Sequence, residues 1–237
     1  MTDINCDMGE GVGNEKELMP FISSANIACG YHAGDAATMR HVINLCLQYQ
    51  VHIGAHPSFL DKTNFGRTAM QLPASAIHSL ITAQLQIINN IALECGAVLH
   101  HVKPHGALYN MAARDSVLAN VIALAVKEFD ESLVYYGLSG SVMITEADKV
   151  GLKTASEVFA DRTYQSDGTL TPRSEPNALL TDMDEVEKQV FKFVKENKVR
   201  TLTGQDIAIT ADTICIHGDG PHAVDFAKAA YKQLHEK

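Results

Sequence analysis

Tryptophan is absent from the 237-residue chain, and its five cysteines are scattered without any CxxC pair. An odd, dispersed set of cysteines argues against a disulfide framework or a zinc finger and favours reduced thiols in the cytoplasm. No run of about 18 uncharged apolar residues occurs, so we expect no membrane-spanning helix. The first residues form neither a basic nor an apolar segment, which argues against a signal peptide.

Positive charge is also scarce. Lys and Arg number 19 against 28 Asp and Glu, which gives a formal net charge of −9. Nucleic-acid binding requires a basic surface, so nucleic acid is not an expected partner. A small anionic substrate remains compatible, because a few local cations can hold it. The sequence also has no G-x-x-x-x-G-K-[ST] loop, so a bound nucleotide would need a different phosphate cradle.

Short apolar runs alternate with helix-like segments along the whole chain. Seven runs are interpreted as buried strands: residues 3–6, 25–29, 51–55, 98–102, 133–136, 154–159 and 213–216. Six segments are interpreted as helices: residues 35–48, 73–95, 114–129, 139–150, 182–196 and 221–234. Repeated β-then-α units predict a parallel sheet. Polar residues follow nearly every predicted strand, which favours closure of this sheet into a barrel. We therefore expect an α/β fold, an irregular (β/α) barrel with about seven parallel strands, as one catalytic domain over residues 1–237.

Acidic and imidazole side chains follow the first three predicted strands. Asp7 and Glu10 follow the first strand among glycines, and His32 and Asp35 follow the second on a glycine-flanked turn. These four residues are candidates for acid–base catalysis. Asp7 and Asp35 could alternatively cap the segments that follow them. His56 ends the third strand and is expected to face the barrel mouth as a substrate-binding residue.

Cationic side chains follow the fourth strand. Lys103 and His105 are further catalytic candidates, because a lysine drawn into a barrel mouth can shift its pKa or hold an anion. At least one of the two preceding histidines, His100 and His101, is expected to pack in the core. Tyr109 is a candidate for substrate binding.

The remaining substrate-binding candidates are Arg67, Glu157, Asp161, Arg162, Arg173, His217 and Asp219. Arg67 could hold a carboxylate through its bidentate fork or simply lie at the surface. Acids beside arginines could instead form a structural ion-pair network, and Asp219 could be a cap. Residues 161–177 are expected to form a long loop over the mouth. Because the carboxyl ends of barrel strands meet at one end, all these clusters are expected to share one site.

The motifs at these positions resemble those of the LamB/YcsF family. The matching strings, spread over residues 5–221, are NCDMGEG, SANIACGYHAGD, IGAHPSF, FGR, VKPHGALYN, EVFADRTY, DGTLTPR and CIHGDGP. Each string alone is weak, but together they are specific. The resemblance implies an irregular barrel similar to the glycoside hydrolase/deacetylase superfamily.

The resemblance also implies a reaction. It is that of the A subunit of ATP-dependent 5-oxoprolinase, which opens 5-oxo-L-proline to L-glutamate together with subunits B and C. ATP with its Mg²⁺ is then an implied cofactor. Either it binds this chain, near residues 9–13 or 218–220, or the partner subunits carry out the phosphorylation.

Two other functions remain open at this point. The chain could be a stand-alone metal-dependent amidohydrolase or deacetylase acting on a carbohydrate, with Asp7, His32 and His56 as metal ligands. It could also be a non-catalytic subunit that only captures a ligand. A protein-bound metal stays an open question, because Lys103 could supply the positive charge and would repel a cation. A homo-oligomer is a further option.

Overall fold

The computed structural model describes residues 2–218 and 222–235. Its strands are β1 (Asp3–Met8), β2 (Ser24–Ala28), β3 (His52–His56), β4 (His101–Val102), β5 (Val134–Leu138), β6 (Lys153–Phe159), β7 (Lys198–Arg200), β8 (Asp206–Ala208) and β9 (Thr213–Ile216). Strands β1 to β6 and β9 form a closed barrel in which β9 pairs in parallel with both β6 and β1. The predicted α/β barrel with about seven parallel strands is confirmed.

The helices are α1 (Glu15–Leu18), α2 (Ala36–Tyr49), α3 (Ala74–Glu94), α4 (Gly106–Ala112), α5 (Ser116–Phe129), α6 (Val142–Val150), α7 (Met183–Phe191) and α8 (Ala223–His235). The six predicted helices correspond to α2, α3, α5, α6, α7 and α8, and the last part of the predicted 182–196 helix is a π-turn, Lys192–Glu196. None of the helices in the described ranges is long and apolar enough to cross a membrane. The sequence did not predict the short helix α4 or the antiparallel β7–β8 hairpin.

Aspartates begin three of these helices. Asp35, Asp115 and Asp182 each accept a hydrogen bond from a backbone N–H group in the first turn of α2, α5 and α7, respectively. A side-chain cap of this kind contributes about 1 kcal/mol, because it satisfies a donor that the helix itself leaves unpaired. The caps fix the residue at which each of these helices starts.

The interior of the barrel is a polar network. Near the amino ends of the strands, Ser24 Oγ donates a hydrogen bond of 2.8 Å to Asp3 Oδ1, and Tyr136 donates one of 3.3 Å to Asp3 Oδ2. Above this layer, Asn26 Nδ2 donates to Asn5 Oδ1 at 2.7 Å. The apolar core lies instead between the strands and the surrounding helices. The barrel lumen is thereby left for polar side chains.

Gly54 on β3 makes room for His101 on β4. The two residues are paired across the strands, and a Cβ atom at position 54 would lie 2.1 Å from His101 Nε2. His101 is completely buried, hydrogen-bonds to Asn26 Oδ1 at 2.8 Å and stacks on Tyr136 with ring centroids 4.2 Å apart. His101 is therefore the packed core histidine that the sequence led us to expect.

Substituting Gly54 tests this packing. We expect Gly54→Ala to lower the free energy of unfolding by about 1–3 kcal/mol, since the new methyl group collides with a buried ring. The same substitution should cost less in a His101→Ala background, where the ring is absent. Urea unfolding of the four proteins measures both values. Equal costs in the two backgrounds would contradict this account of the pair.

Candidate active site

A cavity of about 630 Å³ opens at the carboxyl ends of the barrel strands. The predicted site residues that line it are Asp7, Glu10, His56, Arg67, Lys103, His105, Tyr109, Arg162, Arg173 and His217. His32, Glu157 and Asp161 stand directly behind this lining, and each contacts one of the lining residues. Residues from six different strand ends or loops thus converge on one place.

Asp35 is a predicted site residue that lies apart from this lining. Asp35 is exposed and caps α2, accepting hydrogen bonds from Thr38 N at 2.8 Å and from Thr38 Oγ1 at 2.9 Å. Its position matches the capping alternative, because its carboxylate is committed to the helix start. Asp219 lies outside the described residues.

A buried ion-pair centre occupies the floor of the cavity. Lys103 Nζ is 2.9 Å from Asp7 Oδ1 and 2.8 Å from Glu157 Oε1, and the Lys103 residue is only 2% exposed. Burial alone would lower the pKa of Lys103, but the two carboxylates raise it well above its ordinary value. Lys103 is therefore a permanently charged ammonium group.

Asp7 remains ionised beside it. Burial raises the pKa of Asp7, yet His56 and Lys103 outweigh this and hold it well below its ordinary value. Asn26 Nδ2 also donates to Asp7 Oδ1 at 2.9 Å. Cys215 Sγ, at 3.0 Å from Lys103 Nζ, is a neutral acceptor, because burial raises the thiol pKa. Asp7 is thus poised to stabilise positive charge rather than to take up a proton.

Glu157 and Tyr109 have unsatisfied polar atoms next to this centre. Glu157 is completely buried, and apart from its ion pair with Lys103 its oxygens make no well-formed hydrogen bond with the described residues. The Tyr109 hydroxyl is likewise buried without such a bond. Burial and the nearby Glu157 charge raise the pKa of Tyr109 well above its usual value. The protonated Tyr109 hydroxyl and the Glu157 carboxylate thus stand next to each other beside the ion-pair centre.

Glu10 lies at the centre of three histidines. Its Oε1 atom is 2.9 Å from His32 Nε2, 3.4 Å from His105 Nδ1 and 3.9 Å from His56 Nε2. The His32 and His105 rings are stacked, with centroids 3.7 Å apart and an interplanar angle of 6°. The sequence placed these residues at one barrel end, and the structure brings them into direct contact.

A separate pair, Asp161 and His217, lies on the opposite side of the ion-pair centre. His217 Nδ1 is 2.9 Å from both carboxylate oxygens of Asp161, and the imidazole stacks on Phe159 with centroids 5.5 Å apart. Burial raises the pKa of Asp161, but His217 and nearby arginines bring it below its ordinary value. An ionised Asp161 accepts the proton of His217 Nδ1 and so fixes the orientation of the imidazole ring.

Arginines line the outer part of the cavity. Arg67, Arg162 and Arg173 were predicted site residues, and Arg114 joins them in the structure. Arg162 is buried and donates to the carbonyl oxygens of Thr171 and Ala178, so it also fastens the loop over the mouth. Burial and Arg173 lower the pKa of Arg162 to about 10. The rim gives an acidic protein a local positive surface.

Several contributors to the site were not predicted from the sequence. They are Asn5, Asn26, Ser58, Phe65, Gln84, Arg114, Thr171 and Cys215. A signal existed for Asn5, which lies two residues before Asp7 on β1 and therefore on the same face of the strand. Gln84, completely buried on α3, hydrogen-bonds to both backbone groups of Ser58 and so positions the hydroxyl that contacts His32.

The loop around Gly66 presses against the histidines. Gly66 has φ of +66°, and a Cβ atom there would lie 2.9 Å from both His105 Cδ2 and His32 Cβ. Gly106, at the start of α4, is similarly close to this loop, because a Cβ atom added at position 106 would lie 2.6 Å from Gly66 O. Only residues without a side chain allow this approach. The loop thereby fixes the stacked pair of imidazoles from outside.

The fold and the site together define the class of this protein. It is a closed parallel barrel with a polar, charged cavity at the carboxyl ends of its strands. Within that class, the chain belongs to the LamB/YcsF family, whose model matches residues 2–237. The resemblance inferred from the motifs is thereby confirmed.

Similar proteins agree with this assignment. The chain is 51% identical over 231 residues to the 5-oxoprolinase A subunit of Bordetella pertussis, covering 95% of this chain and 92% of the relative. It is 53% identical over 237 residues to the 5-oxoprolinase A subunit of Shouchella clausii, covering 98% and 94%.

Solved structures show the same fold. The lactam utilization protein from Thermus thermophilus superposes with a TM-score of 0.92 at 40% identity, covering 99% of this chain and 96% of that one. A family 4 carbohydrate esterase from Streptomyces lividans gives a TM-score of 0.51 at 12% identity, covering 98% and 88%. At that identity the esterase likeness concerns the fold alone.

A matched pair of glycine variants tests the role of the Gly66 loop. Gly66 and Gly140 both have positive φ, but a Cβ at Gly140 would meet no atom within 4 Å. Gly66→Ala and Gly140→Ala should share a backbone cost of about 1–2 kcal/mol. Only Gly66→Ala should also shift the His32 and His105 resonances in imidazole ¹H–¹⁵N spectra. Unmoved resonances in Gly66→Ala would show that the loop does not hold the rings.

Proposed function

We propose that this chain is the A subunit of an ATP-dependent 5-oxoprolinase that opens the lactam ring of 5-oxo-L-proline to give L-glutamate. The observation that carries the proposal is the buried Asp7–Lys103–Glu157 centre at the floor of an arginine-lined cavity. It occurs in a chain that is 51% and 53% identical to relatives named as A subunits of 5-oxoprolinase. The name of the Thermus neighbour, a lactam utilization protein, supports the same substrate class.

The cavity suits the two polar ends of such a substrate. 5-Oxoproline carries a carboxylate and, across its ring, an amide carbonyl. Arg67 and Arg173 on the rim can hold the carboxylate through paired N–H donors. Lys103, which lines the cavity, then faces the amide, where negative charge develops on oxygen as a nucleophile adds. Fixed donors in a buried site stabilise such charge more than water does.

His217 is the proposed general base. Asp161 would hold it in one tautomer and orientation, as the carboxylate does in a catalytic triad. A water between His217 and the substrate would lose its proton to Nε2 as its oxygen attacks the ring carbon. Asp7 is a poorer base, because its pKa is held low by His56 and Lys103 despite the opposing effect of burial.

The proposal includes ATP because a five-membered lactam is a stabilised amide. Transfer of the terminal phosphoryl group to the amide oxygen would activate the ring carbon toward water, and breaking the C–N bond would free the amine. A second water would release phosphate and leave glutamate. Arginines on the rim suit phosphoryl oxygens, with Mg²⁺ accompanying the nucleotide. Because the chain has no G-x-x-x-x-G-K-[ST] loop, subunits B and C are proposed to complete the reaction, in the cytoplasm.

The decisive experiment measures glutamate release from 5-oxo-L-proline. We expect release only when this chain, subunits B and C and ATP with Mg²⁺ are all present. Full activity of the chain alone with ATP would remove the partner requirement, and release by the complete set without ATP would remove the coupling. Release of acetate from an acetylated carbohydrate by the chain alone would favour the deacetylase alternative.

Lysine variants extend this assay. Lys103→Met should reduce the rate of the complete complex by at least about 100-fold, a loss typical of removing a charge that stabilises the transition state. Lys153→Met, at an exposed position at the start of β6, is the matched control and should be neutral. A fully active Lys103→Met complex would instead favour a subunit that only binds ligand.

Variants of the Asp161–His217 pair test the assignment of His217 as the general base. His217→Gln should lower kcat by about 10²–10⁴-fold, the usual contribution of a general base. Asp161→Asn should lower kcat with little change in KM, because it removes the orienting partner of His217. Asp182→Asn is the control, since Asn caps a helix as well as Asp does. A His217→Gln enzyme with a normal kcat would rule out this base.

A further inference from the structure

Four donor atoms in the cavity surround a common point. Glu10 Oε1 lies within 3.9 Å of one nitrogen of each of the three histidines, as described above. In addition, His56 Nε2 and His105 Nδ1 are 2.9 Å apart. All four groups, Glu10, His32, His56 and His105, offer one ligand atom within 4.8 Å of every other. Ligands bound about 2.0–2.1 Å from a tetrahedral zinc ion lie about 3.4 Å from one another. The observed contacts of 2.9–3.9 Å bracket that separation.

The opposite nitrogen of two imidazoles faces a backbone oxygen. His56 Nδ1 is 2.7 Å from Lys103 O, and His105 Nε2 is 2.9 Å from Phe65 O. A carbonyl oxygen can only accept, so both of these nitrogens carry the proton. The inner nitrogens, His56 Nε2 and His105 Nδ1, then face each other at 2.9 Å, and they offer lone pairs once both rings are neutral, as metal binding requires.

The outer nitrogen of His32 also faces a protein oxygen, which in this case belongs to a hydroxyl group. Its Nδ1 is 2.9 Å from Ser58 Oγ, and that hydroxyl donates its own proton to Phe59 O, also at 2.9 Å. Ser58 Oγ must therefore accept from His32 Nδ1, which leaves the Nε2 lone pair pointing at Glu10. Metal-binding histidines characteristically donate their outer N–H group to a protein oxygen in this way.

The surrounding charge also favours a cation. Of the three buried or nearly buried carboxylates Asp7, Glu10 and Glu157, two are paired with the ammonium group of Lys103, whereas Glu10 faces the three imidazoles. A buried carboxylate is costly unless a positive charge pairs with it. Lys103 does not oppose a cation beside Glu10, because its own charge is already matched by Asp7 and Glu157.

We propose that Glu10, His32, His56 and His105 bind a divalent transition-metal cation, with Zn²⁺ the representative ion. Imidazole with one carboxylate is a donor set that suits such ions. It differs from the set considered from the sequence, since Glu10 and His105 take the place of Asp7. Asp7 Oδ1 instead bonds to Lys103 and Asn26, and Asp7 Oδ2 lies 3.4 Å from His56 Nε2, so Asp7 stands beside the ligand set. Three of the ligands also line the cavity, so the ion would face whatever occupies it.

The test measures metal binding directly. The full chain is stripped with a chelator, dialysed, and titrated with Zn²⁺ by calorimetry and with Co²⁺ by visible absorption. We expect one ion per chain and a Co²⁺ spectrum typical of nitrogen and oxygen ligands. Glu10→Gln, which is nearly isosteric, and His105→Ala should each weaken binding by at least about 10-fold. Thermal melting of each variant shows that it is folded.

The controls separate this site from its neighbours. Asp7→Asn and His217→Gln alter the adjacent Asp7, Cys215 and His217 group and should leave the stoichiometry of one ion unchanged. No binding by the parent chain would overturn the proposal. Binding that survives Glu10→Gln and His105→Ala, or that is lost in Asp7→Asn, would overturn it as well. The readout is independent of lactam hydrolysis, so a chain that binds the ion but fails the glutamate assay contradicts only the proposed function.

Discussion

The buried ammonium group of Lys103 is the interaction on which the site depends. An isolated ammonium in a protein interior costs several kcal/mol, so it must be matched by partners with good geometry. Those partners come from three other strands: Asp7 and Asn5 from β1, Glu157 from β6 and Cys215 from β9. They can meet only when the barrel is closed in the observed register. The fold and the charge centre are therefore mutually dependent.

Because the barrel lumen is polar, folding and ligand binding depend on two different regions of the molecule. Apolar side chains pack between strands and helices, and this layer supplies the driving force for folding. The lumen holds hydrogen-bonded layers that rise from Asp3 and Tyr136, through Asn5 and His101, to the cavity. Each layer orients the one above it. The side chains facing the cavity are consequently held in place before any ligand arrives, which is the condition for electrostatic stabilisation of a transition state.

The amino-acid sequence determined the architecture and the composition of the site. Short apolar runs alternating with amphipathic segments define β/α units, and parallel strands bring their carboxyl ends to one rim. This rule alone predicts that Asp7, Lys103 and His105 share one cavity. It worked because strand direction alone decides which end of the barrel a residue occupies. The family motifs, being contiguous strings, were likewise readable from the sequence alone.

Only the tertiary structure decided how those residues are partnered. Asp7 lies near the carboxyl end of β1 and faces the cavity, whereas Asp35 lies in the turn after β2 and caps α2. The same holds for the contact between Glu10 and His105, because these residues lie 95 positions apart and meet only through the closed barrel. Asn26 was missed because nothing in the neighbouring sequence indicates its partners Asn5 and Asp7, which lie on another strand. Long-range contacts set these pairings, and a sequence read locally does not contain them.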